Sequence, residues 1–505
     1  MNTKRILSAI LAGLLLAGSL TACANGDDTP ADETKQSIQT TAAAVEEETE
    51  LTDNLPRDLD FGGEEIVFIS RDRDGWTDRE IWVDDVNGEP INDAVYERNK
   101  AVEQRLNIKI ANVFEDDMNG YTIVNRVDTA VKAGTDEYDV LGAACYITLG
   151  QSINGTFANL RNSEYLDFDQ PWWSQGLNDA THYKELQHVI AGSMLLSIYR
   201  FAYATVFNQK IFDDASQPYL YEYVDNGTWT LDKQISLTPI FHRDNGNGVA
   251  DEQGDVYGFL STQHISVDPY WAACEVDILR FNEDGDFELI FDSGKLFEVA
   301  EKVLDLYYGT DGASYIVDTI AWDGHMDKCR DLFADGRAAM ATVRVMGLES
   351  ENIRNMTDKF GIVPMPKFSE EQKDYHSMLH DQFTVISVPN TVVDDRLDMV
   401  GAVLEALSST AYKVVKPVYY EETLRTKIAQ DPQSSIMMEL VINSLTTDSG
   451  IFYTDALGGF QNAFRDIISQ KNNTVVSTYK ASVKSVSNKL RSVTRKLDKM
   501  NDEQA

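Results

Sequence analysis

The chain has 505 residues and carries 82 Asp and Glu against 44 Lys and Arg, a formal net charge of −38 at pH 7. Repulsion by this charge argues against nucleic acid and anionic lipid as partners. After Cys23 the cysteines are Cys145, Cys274 and Cys329, an odd set without a Cys-x-x-Cys pair. The set indicates neither a zinc ribbon nor a disulfide framework and predicts three buried thiols.

The N-terminus has the pattern of a processed export signal. Lys4 and Arg5 precede about 15 uncharged residues, fewer than the roughly 20 that a membrane span needs. The run ends in Leu20-Thr21-Ala22-Cys23, a small-residue cleavage site before a cysteine. We expect a lipoprotein signal peptide over 1–22 and a lipid on Cys23 that anchors the chain to the outer face of the cell membrane. The alternatives are a signal without lipid and an N-terminal anchor helix with an incidental cysteine.

The next segment, 23–56, is expected to be a disordered acidic tether. From residue 24 it has no aromatic residue and is rich in Thr, Ala, Asp and Glu, so it cannot bury enough apolar surface to fold. Roughly 445 residues follow, too many for one core and enough for two lobes. No later stretch approaches about 18 uncharged apolar residues, so no further membrane span is predicted.

The start of the folded region predicts a β-α-β-α-β unit. Its elements are a strand at 66–69, a helix capped by Asn92 with Val95, Val102 and Leu106 on one face, a strand at 108–110, a helix through Val124, Val127 and Val131 that Gly134 ends, and a strand at 138–144. Such units build parallel sheets, and ligands bind beyond the carboxyl ends of the strands. Residues 71–76, Cys145 and Tyr146 are therefore expected beside a cleft.

Helices and strands continue to alternate toward the C-terminus, which predicts an α/β fold. Helices are expected at 295–308, 325–334, 396–410 and 434–445, and strands at 338–343, 360–364 and 383–388. The final stripe of Val483, Val486, Leu490, Val493 and Leu497 predicts an amphipathic helix with basic residues on its other face. Packing on the second lobe is the favoured interpretation, and a membrane surface or a partner is the alternative.

Common catalytic and metal-binding motifs are missing from the sequence. It has no G-x-S-x-G, no G-x-x-x-x-G-K-[ST], no H-E-x-x-H and no G-x-G-x-x-G after a strand. His376 and His380 have the i, i+4 spacing of a metal pair, but ordinary surface histidines are expected because no glutamate lies between them. The loop 243–254 resembles a calcium loop with Arg243 in place of the first carboxylate, which favours a glycine-rich turn with Asx hydrogen bonds. We expect no enzyme activity, no metal and no cofactor.

Short segments of the chain, taken in order, carry a family resemblance. They are Asp93-Ala94-Val95-Tyr96-Glu97-Arg98-Asn99, Pro171-Trp172-Trp173, Phe207-Asn208-Gln209-Lys210-Ile211-Phe212, Gly227-Thr228-Trp229-Thr230, Asn245-Gly246-Asn247-Gly248, Asp255-Val256-Tyr257-Gly258-Phe259, Leu332-Phe333-Ala334-Asp335-Gly336-Arg337-Ala338-Ala339-Met340 and Phe360-Gly361-Ile362-Val363-Pro364-Met365-Pro366. Together they resemble the family 1 extracellular solute-binding proteins of ABC importers, the maltodextrin-binding-like group and its lipoprotein branch.

The resemblance implies a two-lobed periplasmic-binding-protein-like fold (type II), with an α/β sheet in each lobe and a ligand cleft between them. Lobe one would comprise 57–202 and 356–412, and lobe two 203–355 and 413–500. The implied function is a monomeric, lipid-anchored receptor that captures a small solute, a carbohydrate, by hinge closure and delivers it to the transmembrane permease subunits of an ABC importer. A surface-anchored carbohydrate-active enzyme and a non-transport sensor with the same fold are the alternatives.

Ligand-binding residues are expected among aromatic and charged side chains of the cleft, because sugars offer apolar faces to rings and hydroxyls to polar groups. The strand ends give Asp74, Trp76 and Tyr146, and positions similar to those of the family add Tyr270, Trp271, Arg344 and Phe460. For each aromatic residue, core packing is the alternative. The strand after Met340 lacks the tryptophan on which a sugar often stacks, and Arg344 also fits an acidic solute. Three further tryptophans, Trp172, Trp173 and Trp229, are expected to be structural.

Overall fold

The computed structural model describes residues 52–71, 76–115, 117, 120–247, 254–290, 293–310, 312–317, 325–421, 431–446 and 449–504. The predicted signal peptide, Cys23, most of the predicted tether and Asp74 lie outside the described residues. So do residues 248–253 of the calcium-like loop and the side chain of Phe460.

Helices and strands alternate along most of the described chain. The strands are β1 (Glu64–Arg71), β2 (Ile108–Glu115), β3 (Val140–Ala144), β4 (Tyr203–Asn208), β5 (Tyr257–Thr262), β6 (Leu279–Phe281), β7 (Phe287–Leu289), β8 (Ser314–Val317), β9 (Ala338–Arg344), β10 (Phe360–Val363), β11 (Ser377–Met378), β12 (Thr384–Ser387) and β13 (Leu445–Thr446). The helices are α1 (Pro90–Leu106), α2 (Tyr121–Ala133), α3 (Cys145–Ser152), α4 (Gln175–Thr181), α5 (Ser197–Arg200), α6 (Gln209–Asp214), α7 (Leu220–Asp225), α8 (Leu231–Phe241), α9 (Pro269–Ala273), α10 (Ser293–Tyr308), α11 (His325–Ala334), α12 (Glu351–Arg354), α13 (Asp394–Val418), α14 (Pro432–Asn443), α15 (Ser449–Phe452), α16 (Thr454–Leu457), α17 (Phe460–Ser469) and α18 (Val475–Gln504). Single 3-10 turns lie at Leu160–Asn162, Ile265–Val267 and Val345–Glu349.

The first sheet confirms the predicted β-α-β-α-β unit. Its strand order is β12-β3-β1-β2, with β1 parallel to both β2 and β3 and with β12 antiparallel to β3. The helix start differs from the prediction: Pro90 occupies the first turn, and the carboxylate of Glu89 accepts from the Asn92 N–H at 2.8 Å. Asn92 therefore lies inside the helix, because proline suits the first helical position and the N-cap is Glu89, three residues earlier than predicted. Gly134, with φ of 68°, ends α2 as predicted.

The second sheet is mixed and has the order β10-β4-β9-β5-β8. β4 is antiparallel to β9 and β10, whereas β5 is parallel to β8 and β9. The strand predicted at 360–364 thus belongs to this sheet and not to the lobe that the range 356–412 assigned to it. A Cβ at Gly361 would lie 2.3 Å from the Phe207 ring and the Tyr221 hydroxyl, so glycine permits this close packing against β4 and α7. The chain returns to the first sheet only after Val363, at β12.

The C-terminal helix packs its predicted apolar stripe on the body of the protein. Val486, Leu490, Val493 and Leu497 are buried, and the last two belong to a cluster with Tyr183 and Leu186. The Asp498 carboxylate accepts from the Tyr183 hydroxyl at 2.8 Å and from the Lys184 ammonium at 2.7 Å. The helix contacts the predicted second lobe through α10 and also the segment 183–186, which the sequence placed in lobe one.

Buried cysteines and tryptophans support the core. Cys145, Cys274 and Cys329 are free thiols and all buried, as predicted, and burial raises the pKa of Cys274 and of Cys329 to about 12. The three tryptophans assigned to structure, Trp172, Trp173 and Trp229, are buried as well. No helix within the described ranges is long and apolar enough to cross a bilayer.

Candidate functional site

Two sheet-connecting segments run side by side between the lobes. One leads through Phe201 and Ala202 into β4, and the other leads through Leu379 and His380 toward β12. The His380 N–H donates to the Phe201 carbonyl at 3.1 Å, and Ala202 forms an isolated bridge with Leu379. The Val345 N–H, just after β9, donates to the Ala202 carbonyl at 3.0 Å. The end of β9 is therefore hydrogen-bonded to the crossing segments. Segments that cross between two lobes are where a hinge motion would occur.

Side chains from both sheets converge at this crossing, and we call them the junction cluster. Its members are Arg71, Trp76, Phe201, Tyr203, Asp268, Arg344, His380, Asp381 and Arg465. Strand ends supply part of the set, because Arg71 is the last residue of β1 and Arg344 is the last residue of β9. Tyr203 begins β4 and pairs with Arg344 in the sheet.

Arg344 and Trp76, both predicted as site residues, are in direct contact. The Arg344 guanidinium carbon lies 4.6 Å from the centre of the Trp76 ring and 5.8 Å from the centre of the Phe201 ring. Trp76 meets Phe201 edge to face at 5.7 Å. Arg344 is only 5% exposed, and its Nε and Nη1 are buried without a hydrogen-bond partner among the described residues. One face of the Trp76 ring is thus covered by a cation and not open to a sugar.

His380 is a member of this cluster and not a surface histidine. It is 5% exposed and lies beside Phe201 and Tyr203, with ring centres 6.2 and 5.9 Å away. Burial holds its pKa well below the ordinary value, and Arg344, Arg465 and Arg71 lower it further. The prediction of a surface residue failed because its apolar contacts come from Phe201 and Tyr203, remote in sequence. His376 is half-buried and contacts Glu275 at 3.2 Å.

A buried ion pair within the predicted second lobe joins Asp268, just before α9, to the late helix α17. The Arg465 Nε donates to the Asp268 carboxylate at 2.9 Å, and Nη2 contacts the same carboxylate. Burial alone would lower the pKa of Arg465, but Asp268 outweighs it and raises that pKa. Phe460, a predicted site residue, is the first residue of the helix that carries Arg465.

Arg200 holds the backbone of Trp76 in place. Its Nη1 donates to the Trp76 carbonyl at 2.9 Å and lies 3.3 Å from the Asp78 carboxylate. Its Nε and Nη2 donate to the two oxygens of Glu349 at 3.3 and 3.2 Å, and the Tyr419 hydroxyl donates to Glu349 at 2.9 Å. The network connects the loop of Trp76 to the turn after β9, so it positions both partners of the Arg344–Trp76 contact.

Tyr146 lies beside the second crossing segment, next to Asp381 of the cluster. Its N–H donates to the Asp381 carbonyl at 3.3 Å, and its half-buried ring meets Tyr121 edge to face at 6.3 Å. The strand-end argument therefore placed Tyr146 beside the crossing segment, as expected for the carboxyl end of β3.

Tyr270 and Trp271 are packed in the core of this structure, and ligand contact by either ring remains a prediction. Tyr270 is 0% and Trp271 is 1% exposed. The Tyr270 hydroxyl donates to Gln234 at 3.3 Å, and Trp271 meets Phe464 edge to face at 4.5 Å. The sequence after Asp268-Pro269 allows its aromatic residues to lie in a cleft wall or in the core. Here Phe464 of α17 packs against Trp271 and buries it.

The arrangement suits binding of a polar solute with apolar faces, since it combines rings, guanidinium groups and carboxylates at an inter-lobe crossing.

Among the described residues, no group of three or more His, Cys, Asp or Glu is placed to hold a metal ion. In the calcium-like loop, the described part has the predicted Asx hydrogen bonds: Asn247 N–H donates to the Asn245 side chain at 2.9 Å, and Asn245 N–H donates to Asp255 at 2.9 Å.

Comparison with solved structures finds two-lobed periplasmic binding proteins over nearly the whole fold. An ABC substrate-binding protein from Listeria monocytogenes in complex with cycloalternan has a TM-score of 0.53 at 15% identity, covering 86% of this chain and 99% of its own. A cyclic alpha-maltosyl-1,6-maltose binding protein from Arthrobacter globiformis has a TM-score of 0.56 at 12% identity, covering 85% and 100%.

A third structure, an ABC transporter solute-binding protein from Thermotoga lettingae bound with alpha-D-tagatose, has a TM-score of 0.51 at 14% identity, covering 85% of this chain and 100% of its own. Family 1 extracellular solute-binding proteins are among the structures that match, for example one from Bifidobacterium longum subsp. infantis. No family model and no curated protein matches the sequence. At these identities the likeness confirms the predicted two-lobed fold.

Proposed function

We propose that this protein is a lipid-anchored, extracellular solute-binding receptor that captures a sugar between its lobes and delivers it to the permease of an ABC importer. The observation that carries the proposal is the near-complete overlap with binding proteins whose bound or named solutes are saccharides. The matched structures are binding proteins and not enzymes. The junction cluster adds aromatic and charged side chains at the crossing about which such lobes close.

A thermal-shift screen tests the proposal. The probe protein is the mature chain with Cys23→Ser, which keeps it in solution, and the panel contains monosaccharides, linear and cyclic oligosaccharides, polyols, peptides and organic acids. A solute that binds only the folded state adds about 2.7 kcal/mol of stability at a hundredfold excess over Kd. We expect shifts with saccharides. Shifts with peptides alone would contradict the sugar assignment.

The membrane anchor is the part of the proposal that rests on sequence. Leu20-Thr21-Ala22-Cys23 after an uncharged run supports a lipid at Cys23, and two acyl chains suffice for stable anchoring. Mass spectrometry of the protein extracted from cell membranes should find an acylated N-terminal Cys23. A mature chain that begins elsewhere, or that is recovered only from the medium, would contradict the anchor.

A further inference from the structure

The guanidinium of Arg344 is buried, but no hydrogen bond or ion pair with a described residue satisfies it. Its Nε and Nη1 are both enclosed, and the residue is 5% exposed. Burying a donor without an acceptor costs more than a typical hydrogen bond contributes, and for a charged group the cost is larger. A ligand that accepts from the guanidinium is one physical explanation for such a group.

The other buried arginines of the junction contrast with Arg344. Arg465 has Asp268, and Arg200 has Glu349 and Asp78. Arg71 donates to the carbonyl of Gln382. Among these four arginines, Arg344 is the one whose guanidinium makes no hydrogen bond or ion pair with a described residue. Strand pairing and the aromatic rings hold its side chain in place.

Aromatic contact fixes Arg344 and leaves its donors usable. The guanidinium carbon lies over the Trp76 ring at 4.6 Å and near the Phe201 ring at 5.8 Å. A cation–π contact is made with the face of the aromatic ring, and it does not give the N–H donors of the guanidinium a hydrogen-bond acceptor. A preorganised guanidinium with free edges matches a planar carboxylate, which accepts two N–H bonds from one arginine.

The local charge also favours an anion, although the protein as a whole carries −38. Three guanidinium groups, those of Arg344, Arg465 and Arg71, act on the same buried His380 and lower its pKa. Asp268 is already engaged with Arg465. Asp381 also acts on Arg344 and favours its charged form, so the cluster sets three guanidinium groups against the two carboxylates of Asp268 and Asp381. The cluster thus keeps a positive group without an assigned acceptor.

We propose that the solute is an acidic saccharide, of the uronic-acid class, whose carboxylate binds the guanidinium of Arg344 where it rests on Trp76 and Phe201. This inference rests on the proposed receptor function and names its substrate class. The sugar ring would then occupy the cleft beside the cluster, with the carboxylate replacing the water that Arg344 has lost.

Matched pairs of saccharides test the inference. Calorimetric titration of the mature chain with Cys23→Ser measures the affinity for each sugar. Glucuronate is compared with glucose and galacturonate with galactose, and the disaccharides of these acids are compared with their neutral counterparts. Each pair differs only in a carboxylate at C6. We expect the acidic member of the preferred pair to bind on the order of tenfold to a hundredfold more tightly, as a charge-assisted hydrogen bond would give.

Variants assign that preference to Arg344. Arg344→Met should bring the acidic and neutral members to equal affinity, while Arg344→Lys, which keeps the charge but not the planar fork, should keep part of the preference. Arg280→Met removes the same charge from an exposed pair with Glu288 and should leave the preference unchanged. If Arg344→Met does not fold, the inference is tested by the preference of the wild type for the acidic sugar and by the reduced preference expected of Arg344→Lys.

The outcomes separate this inference from the proposed function. Equal binding of acidic and neutral sugars by the wild type, or an acidic preference that survives Arg344→Met, overturns the role of Arg344 and leaves the sugar receptor intact. Failure of both sugar classes overturns both. Binding of carboxylates that are not sugars, abolished by Arg344→Met, overturns the sugar receptor but retains the carboxylate site.

Discussion

Replacing Arg200 with methionine is expected to lower the free energy of unfolding by about 3–5 kcal/mol, the range for removing one partner of a buried ion pair. Arg200 is 3% exposed and donates to Trp76, Asp78 and Glu349. Burial alone would lower its pKa, but Glu349 and Asp78 outweigh burial and raise it. Methionine removes the cation that pairs with Glu349, while Asp78 keeps its ion pair with Arg79. Urea denaturation measures the loss.

The matched control for this change is Arg280→Met. Arg280 and Glu288 form an ion pair at 2.9 Å in which both side chains are exposed, and such pairs contribute about 0–1 kcal/mol. Arg200→Met should also weaken solute binding, because the Trp76 carbonyl loses its donor. A stability loss no larger than that of Arg280→Met would contradict the account of this network.

The Glu405→Gln variant is expected to have a lower free energy of unfolding than the wild type, mainly at acidic pH. Burial raises the pKa of Glu405 from 4.5 to about 7, although N–H donors lower it. The Trp172 and Trp173 indoles each donate to it at 3.0 Å, and the Asp167 N–H donates at 3.3 Å. The difference between the folded and the ordinary pKa corresponds to about 3 kcal/mol.

The direction of the pH effect follows from which state binds the proton more tightly. Since the folded-state pKa of Glu405 is raised, its stabilising contribution is fully present below pH 4.5 and is lost as the pH rises through about 7. Glutamine does not titrate, so the advantage of the wild type over Glu405→Gln should shrink by about 2–3 kcal/mol between pH 5 and pH 8. Parallel urea denaturation across this range measures it. A difference that stays constant with pH would show that this carboxyl is not perturbed.

Elements of the fold could be predicted because their signals are local. The first strand, the helix that ends at Gly134 and the strand before Cys145 each have an apolar period within a short window, and the structure confirms them. Which sheet a strand joins is not local. Phe360–Val363 pairs with β4, more than 150 residues earlier, and nothing in its own pattern distinguishes the two lobes.

The candidate site was predictable where strand ends define it. Trp76 and Tyr146 were predicted from strand ends and lie at or beside the crossing, and so does Arg344, which the family resemblance added. The pair of Asp268 and Arg465 has no such signal, because its partners are 197 residues apart and join through packing of α17. For Trp271 the sequence left a cleft and a core as alternatives, because the contact with Phe464 that buries the ring is remote in sequence.

The central claim, capture of a saccharide without chemical change, is tested most directly by calorimetric titration of the mature chain with the sugar that stabilises it. A receptor predicts heat pulses that each return to baseline and saturate at about one sugar per chain, in line with a single cleft. Continuous heat flow that persists until the sugar is consumed would indicate turnover and contradict the account, as would the absence of saturation.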